Sequence, residues 1–297
     1  MILCSYIYCN GELKDEDDEC PICSGLKHKN FIDKLPLKLI DMHQILPNES
    51  DILQVQINKM NLLNIKIALI QSVPNKVQSI LNNKDLIGIN KISNNRFIIS
   101  QFIDPRYILA KKRIQKYTES GIRVIKVLPV LGYEPNNKRF DRFWKQLESN
   151  KMIVMVHTGF ITARHKEEEI KHKTFMNSEL GNPLLFDVIA RKFPNLQIIL
   201  CHIGGSIFYE EAAQMIYQHD NVWGDLSGSG MFALDRILAK KVKLNWNKVF
   251  WGNDSHPKFY EKNIKIMLSI LKKHKRTELT EKLFFENANK FFKKSNL

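Results

Sequence analysis

From Leu37 onward the chain changes character eight times, each time from an apolar, strand-like run to a stretch with apolar residues at helical spacing. The strand-like runs are Leu37 to His43, Ile65 to Gln71, Phe97 to Ile103, Ile122 to Leu128, Met152 to His157, Leu196 to His202, Val222 to Leu226 and Val249 to Gly252. The helical stretches after them are Ile52 to Leu63, Val77 to Leu81, Tyr107 to Glu119, Phe140 to Leu147, Pro183 to Phe193, Tyr209 to Gln218, Phe232 to Lys240 and Tyr260 to Lys273. Eight strand and helix pairs over about 240 residues match the size of an α/β fold of the closed (β/α)8 type. A doubly wound open sheet is the alternative, but eight pairs in succession argue for closure. A further amphipathic helix, Leu279 to Lys294, is available to cover the outside or the bottom of such a barrel.

Two of the runs end alike. Gln197-Ile-Ile-Leu-Cys201 leads into His202-Ile-Gly204-Gly205, and Met152-Ile-Val-Met-Val156 into His157-Thr-Gly159. Unbroken apolar runs rich in β-branched residues are strands buried on both faces, and parallel sheets and barrels place their chemistry at the carboxyl ends of strands. A single histidine there is most simply a satisfied core residue; its repetition favours ligands. In this register the strand ends present Asp41 and His43, Lys126, His157, His202, Asp225 and Asp254 to one mouth. Imidazoles and a carboxylate around an open position suit a catalytic Zn²⁺, Fe²⁺ or Mn²⁺, because such an ion lowers the pKa of a water bound to it.

Residues 1–34 differ from all that follows. Cys4, Cys9, Cys20 and Cys23 flank an acidic loop, Glu12 to Glu19, with little apolar material. Spacings of C-x4-C and C-x2-C suit two knuckles closing one tetrahedral thiolate site for a structural Zn²⁺, in a small ribbon-like module that draws its folding free energy from the metal. Disulfides are the alternative, and His28 could replace one thiolate. The expected division is therefore a four-cysteine module over 1–34 and a barrel over 35–297. Cys201 reads as a small buried strand residue.

The formal charge is +14, but the lysines are dispersed rather than clustered, which disfavours nucleic acid as a partner. No run of about 18 uncharged apolar residues offers a membrane span, and no signal-like segment opens the chain, so a cytoplasmic protein is expected. With 44% hydrophobic residues the chain can build a full core. Arg164, His165 and His172 lie in a long charged stretch between Gly159 and Asn182 that could cover substrate.

The order of these motifs resembles the amidohydrolase superfamily, in particular its aminocarboxymuconate-semialdehyde decarboxylase-like branch. The resemblance runs from Leu37 to Phe292. It rests on Ile40-Asp41-Met42-His43, Gly121 to Pro129, Val156-His157-Thr158-Gly159, Phe193-Pro194-Asn195 with Cys201 to Gly205, Asn221 to Gly228, Trp251-Gly252-Asn253-Asp254 and Asn287 to Phe292. It implies a TIM barrel in which His43, His157 and Asp254 bind a divalent metal. His202 is then a further ligand or a general acid/base, and Asp254 orients or deprotonates the metal-bound water. The family's first strand carries D-x-H-x-H, and here Ile45 occupies the second histidine's place. Either His202 completes the set, or Gln44 or a loop histidine replaces the lost ligand, or the barrel is silent. A carbamylated Lys126 bridging two metals is disfavoured by the same loss. The implied activity is hydrolysis of a C–N or ester-like bond in a small or peptide-like substrate. Its alternatives are decarboxylation on the same site and a silent barrel that binds a partner. A homo-oligomer is compatible with the sequence.

Overall fold

The computed structural model describes residues 2–3, 12–13 and 38–297, except 75–76, 79, 85, 87–88, 90–93, 162–165 and 174. Cys4, Cys9, Cys20, Cys23 and His28 lie outside the described residues, as do Arg164 and His165. Within 1–34 the described structure is one antiparallel pairing of Ile2–Leu3 with Glu12–Leu13.

Eight parallel strands follow one another in chain order: β1 (Leu39–Gln44), β2 (Ile65–Ile70), β3 (Phe97–Phe102), β4 (Val124–Val127), β5 (Ile153–His157), β6 (Gln197–Cys201), β7 (Val222–Asp225) and β8 (Val249–Phe250). The two edges meet. Met42 N donates to Trp251 O at 3.1 Å, and Asn253 N and Asp254 N donate to His43 O at 3.0 and 2.7 Å. An added Cβ at Gly252 would lie 2.7 Å from His43 Cβ, so only glycine lets the two chain segments come this close. These contacts bring the sheet to a nearly closed barrel of the kind that eight alternations imply.

Strand composition follows from burial on both faces. Ile153 and Met155 of β5, with Ile199 and Cys201 of β6, face the barrel interior together with Ile40, Met42, Leu69, Val124, Trp223 and Phe250. Their neighbours Val154, Val156, Ile198 and Leu200 belong instead to the large layer between barrel and helices. Successive side chains thus enter two different cores, and the sequence shows a continuous apolar run rather than alternation.

The outer helices are α1 (Ile52–Leu62), α2 (Ala110–Glu119), α3 (Asp141–Ser149), α4 (Lys166–His172), α5 (Asp187–Lys192), α6 (Tyr209–Gln218), α7 (Gly230–Ala239) and α8 (Tyr260–Lys273), followed by α9 (Asn287–Ser295). The expected helix over Pro183 to Phe193 is a 3-10 turn, Pro183–Phe186, running into α5, and Asn182 caps it by accepting from Leu184 N at 2.9 Å. Among the described residues of the expected helix at Val77 to Leu81, none is helical. Pro74 O closes one turn on Val77 N at 2.8 Å, and Ile80 then bridges Pro47. The apolar residues that imitated a helix here, Val77 and Ile80, instead face a small cluster with Ile45, Val73 and Leu128.

Helix α9 closes the end of the barrel opposite the strands' carboxyl ends. Phe291 meets Trp223 edge to face at 4.9 Å and Phe250 at 5.3 Å, while Trp223 and Phe250 stack at 5.4 Å. Among the described residues no helix is long and apolar enough to cross a membrane.

Candidate functional site

At the strands' carboxyl ends lies a cavity of about 440 Å³, counted to its open mouth. His43 of β1, Lys126 of β4, His157 of β5, His202 after β6 and Asp254 after β8 all line it. The four barrel residues named from sequence as ligands are thus brought to one place. The His43 and His202 rings lie 4.9 Å apart, and those of His157 and His202 5.0 Å.

Asp225, at the end of β7, organises this group from behind. One carboxylate oxygen lies 3.0 Å from His43 Nδ1. The other accepts from His202 N at 3.1 Å, from Ser227 N at 2.9 Å and from the Ser227 hydroxyl. Asp225 itself is absent from the cavity lining. Among the described residues, donor atoms of His43, His202 and Asp225 all lie within 4.8 Å of one another. Asp225 nonetheless reads as the carboxylate that orients His43, because it holds Nδ1 while Nε2 faces the cavity side, 3.5 Å from Asp254 Oδ1.

The turns that carry these side chains are strained. His202, Ile203 and Asp254 adopt φ of +63°, +42° and +46°, left-handed values that cost a non-glycine residue and most of all a β-branched isoleucine. The Thr158 hydroxyl fixes the β5 and β6 turns together by donating to Cys201 O and accepting from Gly204 N at 2.9 Å.

Charge follows from burial. Burial alone would lower the His43 pKa, but the Asp225 carboxylate, with Cys201 and Asp254, overrides it and raises His43 to about 10. Burial likewise opposes ionisation of Asp225, and the adjacent His43 outweighs it, so that carboxyl is held far below the usual range. His202 is lowered to about 4 by burial and by the positive charges of His43 and Lys126, against the pull of Asp254 and Asp225. Before any metal enters, one imidazole is therefore cationic and the next neutral. His202 Nδ1 faces Ser227 O at 3.1 Å, an acceptor only, so Nδ1 carries the proton and Nε2 keeps its lone pair.

The residues fit a divalent cation. Three imidazoles and a carboxylate surround one buried volume, with enough negative charge beside His43 to hold a proton there far above its ordinary pKa. The close approach is enforced at Gly228, whose hypothetical Cβ would stand 2.6 Å from Asp254 Oδ2 and 3.3 Å from His202 Nδ1.

Two strand-end residues expected at the mouth do not line it, Asp225, which stands behind the cavity, and Asp41. Asp41 does not enter the mouth; its carboxylate turns to the helix layer, where Oδ2 accepts from Tyr260 OH at 2.6 Å and Oδ1 from His43 N and Asn253 N at 2.9 and 3.0 Å. Lys126 pairs with no carboxylate among the described residues and instead donates to Cys201 Sγ at 3.0 Å. Ile45 lines the cavity, Gln44 bonds Gln56 and Asn253 rather than lining it, and His172 is exposed at the end of α4. The orienting work of Asp225 and Ser227 was hidden in sequence; the run Asp225-Leu226-Ser227-Gly228, a carboxylate and a hydroxyl in a glycine turn, was its signal.

A nearly closed eight-stranded barrel with a histidine and aspartate cluster at its strand ends defines the class: an amidohydrolase-like TIM barrel. The amidohydrolase family profile matches residues 96–294, about two thirds of the chain, and the chain belongs to that family. A comparison with curated proteins gives no match. Among solved structures, an uncharacterised TIM-barrel protein from Bordetella bronchiseptica is similar at 13% identity and a TM-score of 0.63, covering 88% of this chain and 100% of its own. A probable 2-pyrone-4,6-dicarboxylic acid hydrolase from Acinetobacter baumannii, with citric acid bound, has 12% identity and a TM-score of 0.59, covering 86% and 100%. The 5-carboxyvanillate decarboxylase of Novosphingobium aromaticivorans, complexed with manganese and 4-hydroxy-3-methoxy-5-nitrobenzoic acid, has 15% identity and a TM-score of 0.58, covering 91% and 99%. At these identities the likeness is one of fold.

Proposed function

We propose that this protein is a divalent-metal-dependent hydrolase acting on a C–N or ester-like bond, with His43, His157 and Asp254 as the groups that would hold the ion and His202 beside them as the proton shuttle. The observation that carries this reading is the convergence of those four side chains on one buried cavity, with Asp225 orienting His43 behind them. A bound divalent ion supplies Lewis acidity and lowers the pKa of water.

The chain's own residues supply the rest. Asp225 fixes the His43 ring through Nδ1 and, through Ser227, the neighbouring His202 ring. His202, neutral and with a free lone pair on Nε2, accepts a proton at that atom and returns it to the leaving group. Asp254, 3.5 Å from His43 Nε2 and 3.8 Å from His202 Nδ1, holds a second proton-accepting oxygen between the two rings. The likeness to a manganese-containing decarboxylase supports decarboxylation on the same site as the second reading. The proposal extends to a cytoplasmic enzyme with a small or peptide-like substrate, and to a separate structural Zn²⁺ on Cys4, Cys9, Cys20 and Cys23 in a module over 1–34.

Paired variants test the roles. His157→Ala should empty the barrel of its metal, read by elemental analysis against wild type after chelation and reloading with Mn²⁺ or Zn²⁺. His202→Asn should keep most of the metal and slow turnover by about 10²- to 10⁴-fold on whichever ester or amide a substrate screen returns. If His202→Asn empties the site as fully as His157→Ala, His202 is a ligand and not the proton shuttle. If wild type takes up no metal in the mouth, the enzymatic reading fails and the silent barrel stands.

A further inference from the structure

The cavity has two chemically distinct halves, and the second half carries information about the substrate. Lys126 points into the barrel from β4 and is only 2% exposed. Its one described hydrogen bond, to Cys201 Sγ at 3.0 Å, engages a weak acceptor and uses one of three donors. A buried ammonium that pairs with no carboxylate among the described residues is costly, so its position on a cavity wall marks a place for an anion. Gln71 supplies an independent observation. Its Nε2 meets Met155 Sδ at 2.7 Å, Met155 is the register partner of Lys126 on the next strand, and Gln71 and Lys126 both line the cavity. Its Oε1 is buried with no hydrogen-bond partner, an acceptor awaiting a donor.

Apart from Gln78, the remaining wall is apolar, built mainly of Ile45, Val73, Val77, Leu128, Val130 and Met176. Apart from the imidazoles, no aromatic ring is among the described lining residues. Ile45 extends this wall to the neighbourhood of His43. A polar side that offers two unused ammonium donors and one open acceptor, beside a wall made mostly of aliphatic groups, selects an anionic head and an aliphatic body.

We propose that this cavity binds a small carboxylic acid with a branched aliphatic body, Lys126 receiving the carboxylate, the Ile45 to Met176 wall receiving the body, and Gln71 accepting from a donor group near the carboxylate. The inference rests on the reading of this cavity as the active site, but its test requires neither turnover nor metal.

The full chain, treated with chelator, is titrated with 4-methylpentanoate, 4-methylpentanamide, acetate and benzoate, with ligand-observed NMR as the readout. The acid should bind at least about tenfold more tightly than its amide, because the charge-assisted bonds to Lys126 are lost in the amide. Acetate, without a body, and benzoate, whose flat ring fits a branched aliphatic wall poorly, should both be weaker than 4-methylpentanoate. Lys126→Met should erase the difference between acid and amide, with Lys126→Gln as the second variant should the first not fold. The wild-type comparison stands without either variant. Equal binding of acid and amide, tighter binding of benzoate, or an acid preference that survives in Lys126→Met or Lys126→Gln would overturn the proposal. So would an acid preference seen only after Mn²⁺ is added and unaffected by Lys126→Met, since the anion would then sit on the metal. Failure of the chain to bind Mn²⁺ at all would count against the hydrolase reading alone.

Discussion

Gly228→Ala tests how closely the ligand cluster is packed. Two effects act at this position. At φ of +54° an alanine can be accommodated, at a cost of about 1 kcal/mol relative to glycine. The added Cβ would also lie 2.6 Å from Asp254 Oδ2, where ordinary contact begins at 3.4 Å, so Asp254 must yield by the difference, 0.8 Å. Asp254 has little freedom to do so, because its backbone N is held by His43 O at 2.7 Å and its φ is already left-handed. A displacement of that size in a ligand-bearing carboxylate should lower affinity for Mn²⁺ or Zn²⁺ by about 10- to 100-fold, the scale seen when the surroundings of a metal ligand are disturbed. The total stability loss should be about 2 kcal/mol, or a fall in Tm of about 4–8 °C for a domain of this size. Gly121→Ala is the control: φ there is +75°, but nothing lies within 4 Å of the added Cβ. It should share the backbone cost and leave the metal untouched. Isothermal titration with Mn²⁺ and scanning calorimetry on both variants decide the matter. If Gly228→Ala binds metal as wild type does, or if Gly121→Ala weakens binding equally, the crowding argument is wrong.

Ile45→His, which restores a donor where the family's first strand carries one, should raise metal affinity by about tenfold or more, measured by competition with a chromogenic chelator. Phe291→Ala removes the ring that meets Trp223 and Phe250 and should destabilise by about 3–5 kcal/mol while metal affinity stays unchanged. For pH, Asp235 is the informative group. Burial opposes its ionisation, but the bonds to His274 at 2.6 Å and Lys273 at 2.9 Å outweigh it and hold the carboxyl below its ordinary pKa. A depressed carboxyl contributes stability above the ordinary carboxylate pKa and loses it as pH falls through the folded value. Asp235→Asn should therefore flatten the acid limb of the stability curve by less than about 1 kcal/mol, since the pair is partly open to solvent.

The barrel was legible because each strand is buried on both faces, and the resulting apolar runs and their terminal histidines cannot be mistaken for half-exposed strands. The cavity positions of His43, His157, His202 and Asp254 were legible for the same reason. Asp41 was misplaced because strand parity alone does not register the irregularity between Asp41 and Gln44 in the pairing of β1 with β2. One residue of offset sends a side chain to the opposite face. The Val77 to Leu81 stretch misled because a short apolar run has no period long enough to separate a helix from a turn packed on a loop. The roles of Asp225 and Cys201 depend on what stands across the barrel, 182 residues away for Asp225 and His43 and 75 for Cys201 and Lys126, and no local pattern encodes such a pairing.

An isoleucine at position 45, where the first-strand resemblance expects a histidine, and the rigidity of His43 belong together. A first strand with two ligands can tolerate slack in either; a first strand with one cannot. Here His43 is fixed at every level. Its ring nitrogen Nδ1 is held by Asp225 and by the Ser227 hydroxyl at 3.0 Å each, its amide by Asp41 at 2.9 Å, and its carbonyl by the Asn253 and Asp254 amides. Tyr260 in turn holds the Asp41 carboxylate, so the outer helix layer reaches the metal-facing strand through two hydrogen bonds. Because Asp254 hangs from the carbonyl of His43, the spacing between the two candidate ligands is set by the closure of the barrel itself and not by a loop. Preorganisation of this kind lowers the entropy cost of gathering the donors around an ion. It thereby offsets part of what the missing ligand would have contributed, and it frees position 45 to serve the apolar wall instead.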